Sequence, residues 1–207
     1  VPDKGTSNSR NLAMLHMKGD IGVFLDDDVV LEHDSMIRIA NAYIEHKDAD
    51  IITFQSQYFS GKYFKSYSDN SFKHNKYTLK NISDIEITFR KTIIEKKVLF
   101  NTLFGLGAKF PLGEYLIFLT DCYNAESNMY YVPGVIVKHP DCLHSGIQFI
   151  QNYEEGRGAL FACLSKYLFP FMIFYFAIRK YSMYKNKHSF WREVYFMFKG
   201  AIKYFLC

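Results

Sequence analysis

An apolar run that ends in three consecutive aspartates restricts the fold of this chain more than any other feature. Ile21 to Leu25 is typical of a short strand buried on both faces, and Asp26, Asp27 and Asp28 follow it directly. Side chains alternate along a strand, so Asp26 and Asp28 point to the same side at its carboxyl end. Their repulsion is offset by a hard divalent cation such as Mn²⁺ or Mg²⁺. A solvated acidic turn is the alternative that requires no ligand.

Helices and strands alternate around this run, which predicts an α/β domain with parallel pairing. A helix capped by Ser7 or Ser9 is predicted to extend to about Met17, and Asp34 is predicted to cap the next one. The further predicted elements are strands at Asp50 to Phe54 and Ile85 to Phe89, a helix from Glu114 to Asn124 and a hairpin that turns at Pro133-Gly134.

Composition favours one ordinary domain with a hydrophobic core. The chain has 207 residues, of which 49% are hydrophobic, and disorder is excluded at that content. A net charge of +4 is too mild to indicate nucleic acid as a partner. The segment from Tyr58 to Tyr77 is rich in Lys, Ser, Asn and Tyr and is predicted to be a long loop, of the kind that is often functional.

The last third of the chain changes character, and we predict a boundary between residues 1–150 and 151–207. Leu160 to Ile178 is almost entirely apolar, although Lys166 and Pro170 interrupt it, and its length is close to that of a membrane span. Aromatic and basic residues mix from Phe190 onward, as in a helix that lies in a membrane interface. Two aromatic-rich helices that simply pack on the domain are the alternative.

Two classes of enzyme place aspartates at the end of an apolar strand. In one, a metal bridges the aspartates and the diphosphate of a nucleotide sugar. In the other, a phosphatase of the haloacid dehalogenase type, Asp26 and Asp28 would form the first motif, Asp-x-Asp-x-Val/Thr, which the sequence matches literally. That motif belongs on the first strand of its domain, however, and here a helix precedes it. No Gly-Asp-x-x-x-Asp stretch follows it either.

Motifs around the aspartates favour the first of these classes, the enzymes that transfer a sugar from a nucleotide sugar. Residues 4–14, "KGTSNSRNLAM", followed by "GDIGVFLDDDV", resemble the middle of a family 2 glycosyltransferase with a GT-A fold. Members of that family commonly have Gly-x-Ser-x-x-Arg-Asn-x-Ala before the strand that ends in Asp-x-Asp. The residues that match in order are Gly5, Ser7, Arg10, Asn11 and Ala13. The resemblance implies a mixed, mostly parallel sheet flanked by helices, here with an aromatic-rich helical tail.

The resemblance also implies roles for individual residues. Donor binding would fall to Arg10, Asn11, Asp26 and Asp27, and metal binding to Asp28, Asp26 and His139. His139 opens the stretch "HPDCLHSG", which is similar to the His-Pro sequence that often closes the family's domain. His144 in the same stretch is a weaker candidate. The implied reaction transfers a sugar, with inversion, from a nucleotide diphosphate donor to a glycan or lipid-linked acceptor.

The general base is where the match fails. The family's Gly-rich acceptor loop usually ends in Gly-Glu-Asp, whose Asp removes the proton of the acceptor hydroxyl. This chain has Gly113, Glu114 and Tyr115, and a neutral phenol with a reference pKa of about 10 is a poor base. Glu114 or Asp121 would then be the catalytic base, and we favour Glu114. A degenerate GT-A domain that binds without catalysis is the remaining alternative.

A second departure concerns the beginning of the sequence. The family's domain opens with a strand–helix–strand unit that grips the nucleotide base, and only three residues precede Lys4 here. We therefore expect a truncated domain that binds nucleotide sugars weakly or not at all. For the whole enzyme, the resemblance and the basic, aromatic tail predict a cytoplasmic protein at the inner face of the cell membrane, engaged in cell-surface polysaccharide synthesis.

Overall fold

The structure, a computed structural model, describes residues 4–141 and 153–207, and its contacts divide the chain into two compact units. The first, here called the helical unit, comprises Val1–Asn11, Phe100–Ile117 and Ser145–Cys207. The second, here called the sheet unit, comprises Leu12–Leu99 and Phe118–His144. The predicted boundary between residues 150 and 151 falls outside the described residues and stays a prediction.

Six strands form the sheet of the sheet unit. Their bounds are β1 Ile21–Val23, β2 Val30–Leu31, β3 Ile51–Tyr58, β4 Phe72–Lys73, β5 Ile87–Arg90 and β6 Met129–His139. The strand order is β1-β5-β3-β6-β2, and β4 also pairs with β6. Among the described strands only β3 and β6 run parallel, so the predicted predominance of parallel pairs is corrected. The connection from β3 to β5 is a polar excursion rather than a crossover helix, which allows antiparallel pairing.

Eight α-helices lie in the described residues. Their bounds are α1 Thr6–Leu15, α2 Ser35–Glu45, α3 Thr92–Glu95, α4 Glu114–Asn124, α5 Tyr153–Leu164, α6 Phe169–Arg179, α7 Tyr181–Tyr184 and α8 Phe190–Phe205. The predicted bounds of α4 are confirmed. Asp34 stands before α2 as predicted, but its carboxylate accepts a hydrogen bond from Arg38, 2.5 Å away, and does not cap the helix backbone.

The core of the sheet unit is the layer between α2 and the sheet. Ile39 and Tyr43 of α2 are buried against Ile52 and Phe54 of β3, which are completely inaccessible to solvent. The phenol of Tyr43 lies 3.0 Å from the Thr88 hydroxyl and accepts a hydrogen bond from the amide of Ile52. Burial raises the pKa of Tyr43, so the ring stays neutral and serves the core as a hydrophobic body with one satisfied polar group.

Two predicted elements differ from the structure. β1 is three residues long and half-buried, and Leu25 beyond it is exposed, so the apolar run is shorter and less buried than predicted. The predicted hairpin at Pro133-Gly134 is instead one continuous strand, β6, with Gly134 at φ +143° and register shifts beside it. Long-range pairing with β3 overrides the local turn signal.

In the helical unit, α5 and α8 approach each other so closely that their backbones meet at glycines. A Cβ on Gly158 would overlap the carbonyl oxygen of Met197, and a Cβ on Gly200 would overlap that of Glu155. Glu155 is buried and forms ion pairs with Lys199, at 2.7 Å, and with Lys203. These two charges hold the pKa of Glu155 below its usual range despite its burial.

Replacing Gly200 with alanine should destabilise the helical unit, because α5 and α8 must separate to admit one methyl group. We expect Gly200→Ala to cost about 2 kcal/mol or more of unfolding free energy in chemical denaturation. Gly19→Ala is the matched control, since a Cβ there meets its nearest atom at 3.8 Å. Equal stability of both variants would contradict the close approach.

A buried polar centre ties the excursion after β3 to the sheet. Glu86 is 2% exposed, and its carboxylate accepts hydrogen bonds from Ser56, Lys65 and Tyr67, at 3.0, 2.6 and 2.5 Å. The imidazole of His74, also buried, lies 2.8 Å from the hydroxyl of Thr53. Burial, with the charge of Lys65 adding to it, lowers the pKa of His74 to about 4. The predicted loop is therefore packed onto the sheet by polar groups, which the sequence pattern did not indicate.

The buried His74 should make the free energy of unfolding decrease as the pH is lowered. Its pKa is about 4 in the folded chain and 6.5 in the reference state, so the unfolded chain binds more protons between these values. The contribution is complete above pH 6.5 and is lost as pH falls towards 4, by about 2–3 kcal/mol. Denaturation curves of the wild type and His74→Gln should therefore converge over this window. A constant difference would show that His74 does not titrate there.

No helix within residues 4–141 and 153–207 is long and apolar enough to cross a membrane. The apolar run from Leu160 to Ile178 is divided between α5 and α6, with a break at 165–168. The spanning helix that its length suggested is therefore not formed.

Candidate active site

The aspartates follow β1 in a turn at the carboxyl end of the strand. Phe24 anchors this end, because its ring is buried and stacks on Phe89 at 4.7 Å between centroids. Beyond it, Asp26 is half-buried, whereas Asp27 and Asp28 are exposed. Phe24 thus holds the end of the strand in the core, while the carboxylates of Asp27 and Asp28 are open to solvent.

The structure brings Asp28 and His139 together within the sheet unit. Val30 of β2 pairs with Lys138 of β6, so Asp28, two residues before Val30, lies near His139, the residue after Lys138. His139 Nε2 lies 3.5 Å from the Asp28 carboxylate. The rings of Tyr58 and Phe64 stand edge-on to the imidazole, with centroids 6.4 and 5.6 Å away, and restrict its orientation.

The other nitrogen of His139 indicates where the hydrogen of the ring lies. Nδ1 lies 2.7 Å from the carbonyl oxygen of Pro140, which can only accept, so Nδ1 carries a hydrogen. In the neutral ring, Nε2 then turns its lone pair towards the carboxylate of Asp28. Two acceptors that face each other in this way need a proton or a metal ion between them. This arrangement also resembles metal-binding histidines, whose second nitrogen usually donates to a backbone carbonyl or a carboxylate.

The helical unit assembles a second group around the start of α4. Arg10 Nη1 lies 3.4 Å from Glu114 Oε1, and both side chains are more than four-fifths buried. The guanidinium of Arg10 lies over the ring of Tyr115, 4.3 Å from its centroid, and Phe100 meets that ring edge-on at 5.4 Å. Tyr115 thus forms one wall of a pocket for Arg10. The sequence carries no signal for this contact, because Arg10 and Tyr115 are about one hundred positions apart.

Glu114 occupies a favourable position for a carboxylate. It lies in the first turn of α4, where the partial positive charge of the helix end and the guanidinium of Arg10 both favour the ionised form. An ionised carboxylate is the form that accepts a proton in general base catalysis. Asp121 lies on the same helix seven residues further on and is exposed, and partial desolvation raises its pKa.

The Gly-rich loop before α4 holds the start of α1. The backbone amide of Thr6 donates to the carbonyl of Leu106, at 2.9 Å, and the buried Ser7 hydroxyl donates to the carbonyl of Phe104, at 2.6 Å. Gly105 has φ +107°, and a Cβ there would meet the Thr6 hydroxyl, so only glycine fits. Ser7 therefore anchors α1 to the loop rather than capping the helix.

Asn11 clamps the backbone of Phe100. Its amide nitrogen donates to the Phe100 carbonyl at 2.9 Å, and its amide oxygen accepts from the Phe100 amide at 2.7 Å. Asn11 thus has a structural role in holding the backbone of Phe100, and its contact with a nucleotide stays a prediction. Through Phe100 the clamp also supports the ring of Tyr115.

Removing this clamp should cost stability before it affects any ligand. Asn11→Ala leaves the amide and carbonyl of Phe100 without their partner, and we expect a loss of about 1–3 kcal/mol in denaturation. Asn8→Ala is the control, because Asn8 of the same helix makes one hydrogen bond, to the carbonyl of Lys4 just before the helix begins. A loss no larger than that of the control would mean that the clamp is not formed.

Two further features were not predicted from the sequence. A cavity of about 330 Å³ in the sheet unit is lined by residues of the excursion and of β3, among them Tyr67, Phe72 and Glu86. In the helical unit, ligand atoms of Glu154, His188 and Glu193 lie within 4.8 Å of one another. Glu193 there already pairs with His188 at 2.5 Å. Of the sequence-based candidates, His144 lies outside the described residues.

Comparison with solved structures identifies the fold. The structure of residues 1–349 of Staphylococcus aureus TarS in complex with UDP-GlcNAc matches with a TM-score of 0.63 and 12% sequence identity. This match covers 90% of the present chain and 57% of that chain. The structure of TarS 1–349 alone matches with a TM-score of 0.57 and 14% identity, over 89% of this chain and 55% of that one. The fold is that of a GT-A glycosyltransferase, and the chain spans little more than half the length of these relatives.

The sequence model described as "Glycosyl transferase family 2" matches residues 2–119. The chain belongs to this family, which confirms the resemblance seen in its motifs and decides against the phosphatase class. Among curated protein sequences, none matches the chain at a significant level.

Proposed function

We propose that this chain is the larger part of an inverting, metal-dependent glycosyltransferase domain, which moves a sugar from a nucleotide diphosphate donor to a glycan or lipid-linked acceptor. The observation that carries the proposal is the pairing of Asp28 with His139 at the carboxyl end of β1, beside Asp26 and Asp27. This is a site for a hard cation and a diphosphate in a chain of family 2.

The residues support a single displacement at the anomeric carbon. The acceptor oxygen bonds to that carbon on one face, while the bond from the carbon to the diphosphate oxygen breaks on the other. The bonding electrons leave with the diphosphate, and the configuration at the carbon is inverted. The acceptor proton passes to the Glu114 carboxylate, which we favour as the general base over Asp121.

Charge on the departing diphosphate needs compensation. Asp28, Asp26 and His139 would hold Mn²⁺ or Mg²⁺, which when bound supplies Lewis acid stabilisation of the leaving group. Arg10, Asn11 and Asp27 are the proposed contacts to the donor. UDP-linked sugars are the first donors to test, since the similar TarS structure contains UDP-GlcNAc.

The competing proposal is a GT-A domain that binds its ligands without transferring sugar. It is favoured by Tyr115 at the position of the usual base and by the engagement of Glu114 with Arg10. The two proposals differ in turnover and not in donor binding.

The test, made on the full-length protein, is release of UDP from UDP-GlcNAc in the presence of Mn²⁺, with and without candidate glycan acceptors. We expect EDTA to abolish release and added Mn²⁺ to restore it, and Asp28→Asn to lower the rate at least 100-fold. Glu114→Gln should lower transfer by about 10²–10⁴-fold, as loss of a general base does. Glu95→Gln, a change of an exposed carboxylate, is the control and should leave the rate unchanged.

Three outcomes would overturn parts of this assignment. Full turnover in both Glu114→Gln and Asp121→Asn would show that neither residue is the general base. Full turnover in EDTA would show that the reaction requires no metal ion. Binding of UDP-GlcNAc without turnover in the wild type would establish the non-catalytic module.

For the whole enzyme we propose a place at the cytoplasmic face of the cell membrane, in cell-surface polysaccharide synthesis. A lipid-linked or growing glycan acceptor would be met there.

A further inference from the structure

We propose that α6 and α8 dock the helical unit onto an anionic lipid surface, with their aromatic side chains inserted between the headgroups. This deepens the membrane location in the proposed function by naming the contact residues and the chemistry of the lipid. The surface, here called the aromatic surface, includes Tyr167, Phe171, Tyr175, Ile178, Trp191 and Tyr195, all of which are exposed.

The first argument is that α6 is apolar on the face that none of the described residues covers. Its sequence is FPFMIFYFAIR, and Ile173 and Ala177 fill the contact with α8. Phe171 and Tyr175 point away from that contact and are 74% and 65% exposed. A helix that is hydrophobic all round is normally buried or in contact with lipid, because exposed apolar area of this kind is unfavourable in water.

α8 shows the same pattern of buried apolar residues on one face and exposed aromatic residues on the other. Val194 and Met197 are buried, whereas Trp191 and Tyr195, one turn apart, are exposed. Tryptophan and tyrosine are the side chains that favour the boundary between water and lipid, since each combines a large apolar body with one hydrogen-bonding group. Such a helix is too polar on average to span a bilayer and is suited to lie in its interface.

Charge identifies the lipid. Residues 153–207 contain nine Lys and Arg against three Glu, whereas the rest of the chain has 16 Lys and Arg against 18 Asp and Glu. Six of these cations are exposed and take part in no ion pair within the described residues: Lys166, Arg179, Lys180, Lys185, Lys187 and Arg192. No Asp or Glu of the described segment 153–207 is exposed.

This combination favours an anionic bilayer over the other possible occupants. A second copy of this chain would bring its own exposed cations to those of the first. A different protein as partner would need exposed carboxylates to match the cations. Anionic headgroups neutralise the cations while the aromatic rings enter the interface, and each Lys or Arg near such a surface strengthens binding about fivefold.

The first test is flotation of the wild-type chain with vesicles. We expect binding to phosphatidylcholine vesicles that contain phosphatidylglycerol and little binding to phosphatidylcholine alone. Replacing Lys180, Lys185 and Lys187 together with Gln should weaken the anionic binding on the order of 100-fold. The matched control replaces the exposed Lys47, Lys62 and Lys80 with Gln and should leave it unchanged. Equal binding to both vesicles, or equal loss in both variants, would overturn the role of charge.

The second test separates the aromatic surface from general hydrophobicity. Phe171→Gln, Tyr175→Gln and Ile178→Gln in one chain should weaken vesicle binding at least tenfold, since about 0.8 kcal/mol per buried methylene is lost. The control places Gln at Met36, Ile37 and Ile44 of α2, which are as exposed as the α6 residues. Circular dichroism verifies that both variants are folded, and equal loss in the two would contradict the proposal.

Trp191 offers a direct readout because it is the single tryptophan of the chain. Its emission should shift to the blue on addition of anionic vesicles and be quenched by lipids brominated near the headgroup. A blue shift that depends on protein concentration without vesicles, together with a dimer in light scattering, would instead show a second copy on this face and overturn the proposal. None of these measurements involves sugar transfer, so their failure is distinct from failure of the proposed activity.

Discussion

The parallel pairing of β3 with β6 is the constraint on which the sheet unit depends. These are the two longest strands, and the other strands pair with one of them or, as β1 does, with a strand that β3 holds. Both end at the edge where the candidate site lies, at Tyr58 and His139, which are partners in the register. The position of His139 is therefore fixed by the same hydrogen bonds that hold the core of the sheet together.

Local signals predicted local features well. The strand that leads towards Asp26 and the Gly-Glu start of α4 depend on neighbouring residues. The start of α4 is placed as predicted, whereas the strand is shorter and less buried than predicted. The sequence also identified His139 as a ligand candidate; the structure places it 3.5 Å from Asp28, and its role as a ligand stays a prediction. What local reading could not supply was pairing across the chain. Pro133-Gly134 is a turn signal by itself, and only its partner strand makes it part of a continuous β6.

The site around α4 shows a second limit of sequence reading. Tyr115 was interpreted as a lost base, because the expected side chain is a carboxylate. Its ring instead supports the guanidinium of Arg10, and that guanidinium faces Glu114. The side chain at this position therefore forms a cation–π contact, whose strength depends on exclusion of water from the pocket. Such a contact involves residues about one hundred positions apart and has no signature in the spacing of a motif.

The irregular pairing of β6 with β3 makes the position of His139 depend on the length of β6. From Ile51 to Tyr58 the chain advances seven residues along β3, while its partner advances ten residues, from Met129 to His139. The surplus of three residues lies at the register shifts between Thr53 and Ser56, where the pairing of the two strands is irregular. His139 reaches its partner Tyr58 only because β6 takes up these additional residues there. A deletion in this stretch would therefore shift the end of β6 along β3 and move the imidazole of His139 away from Asp28.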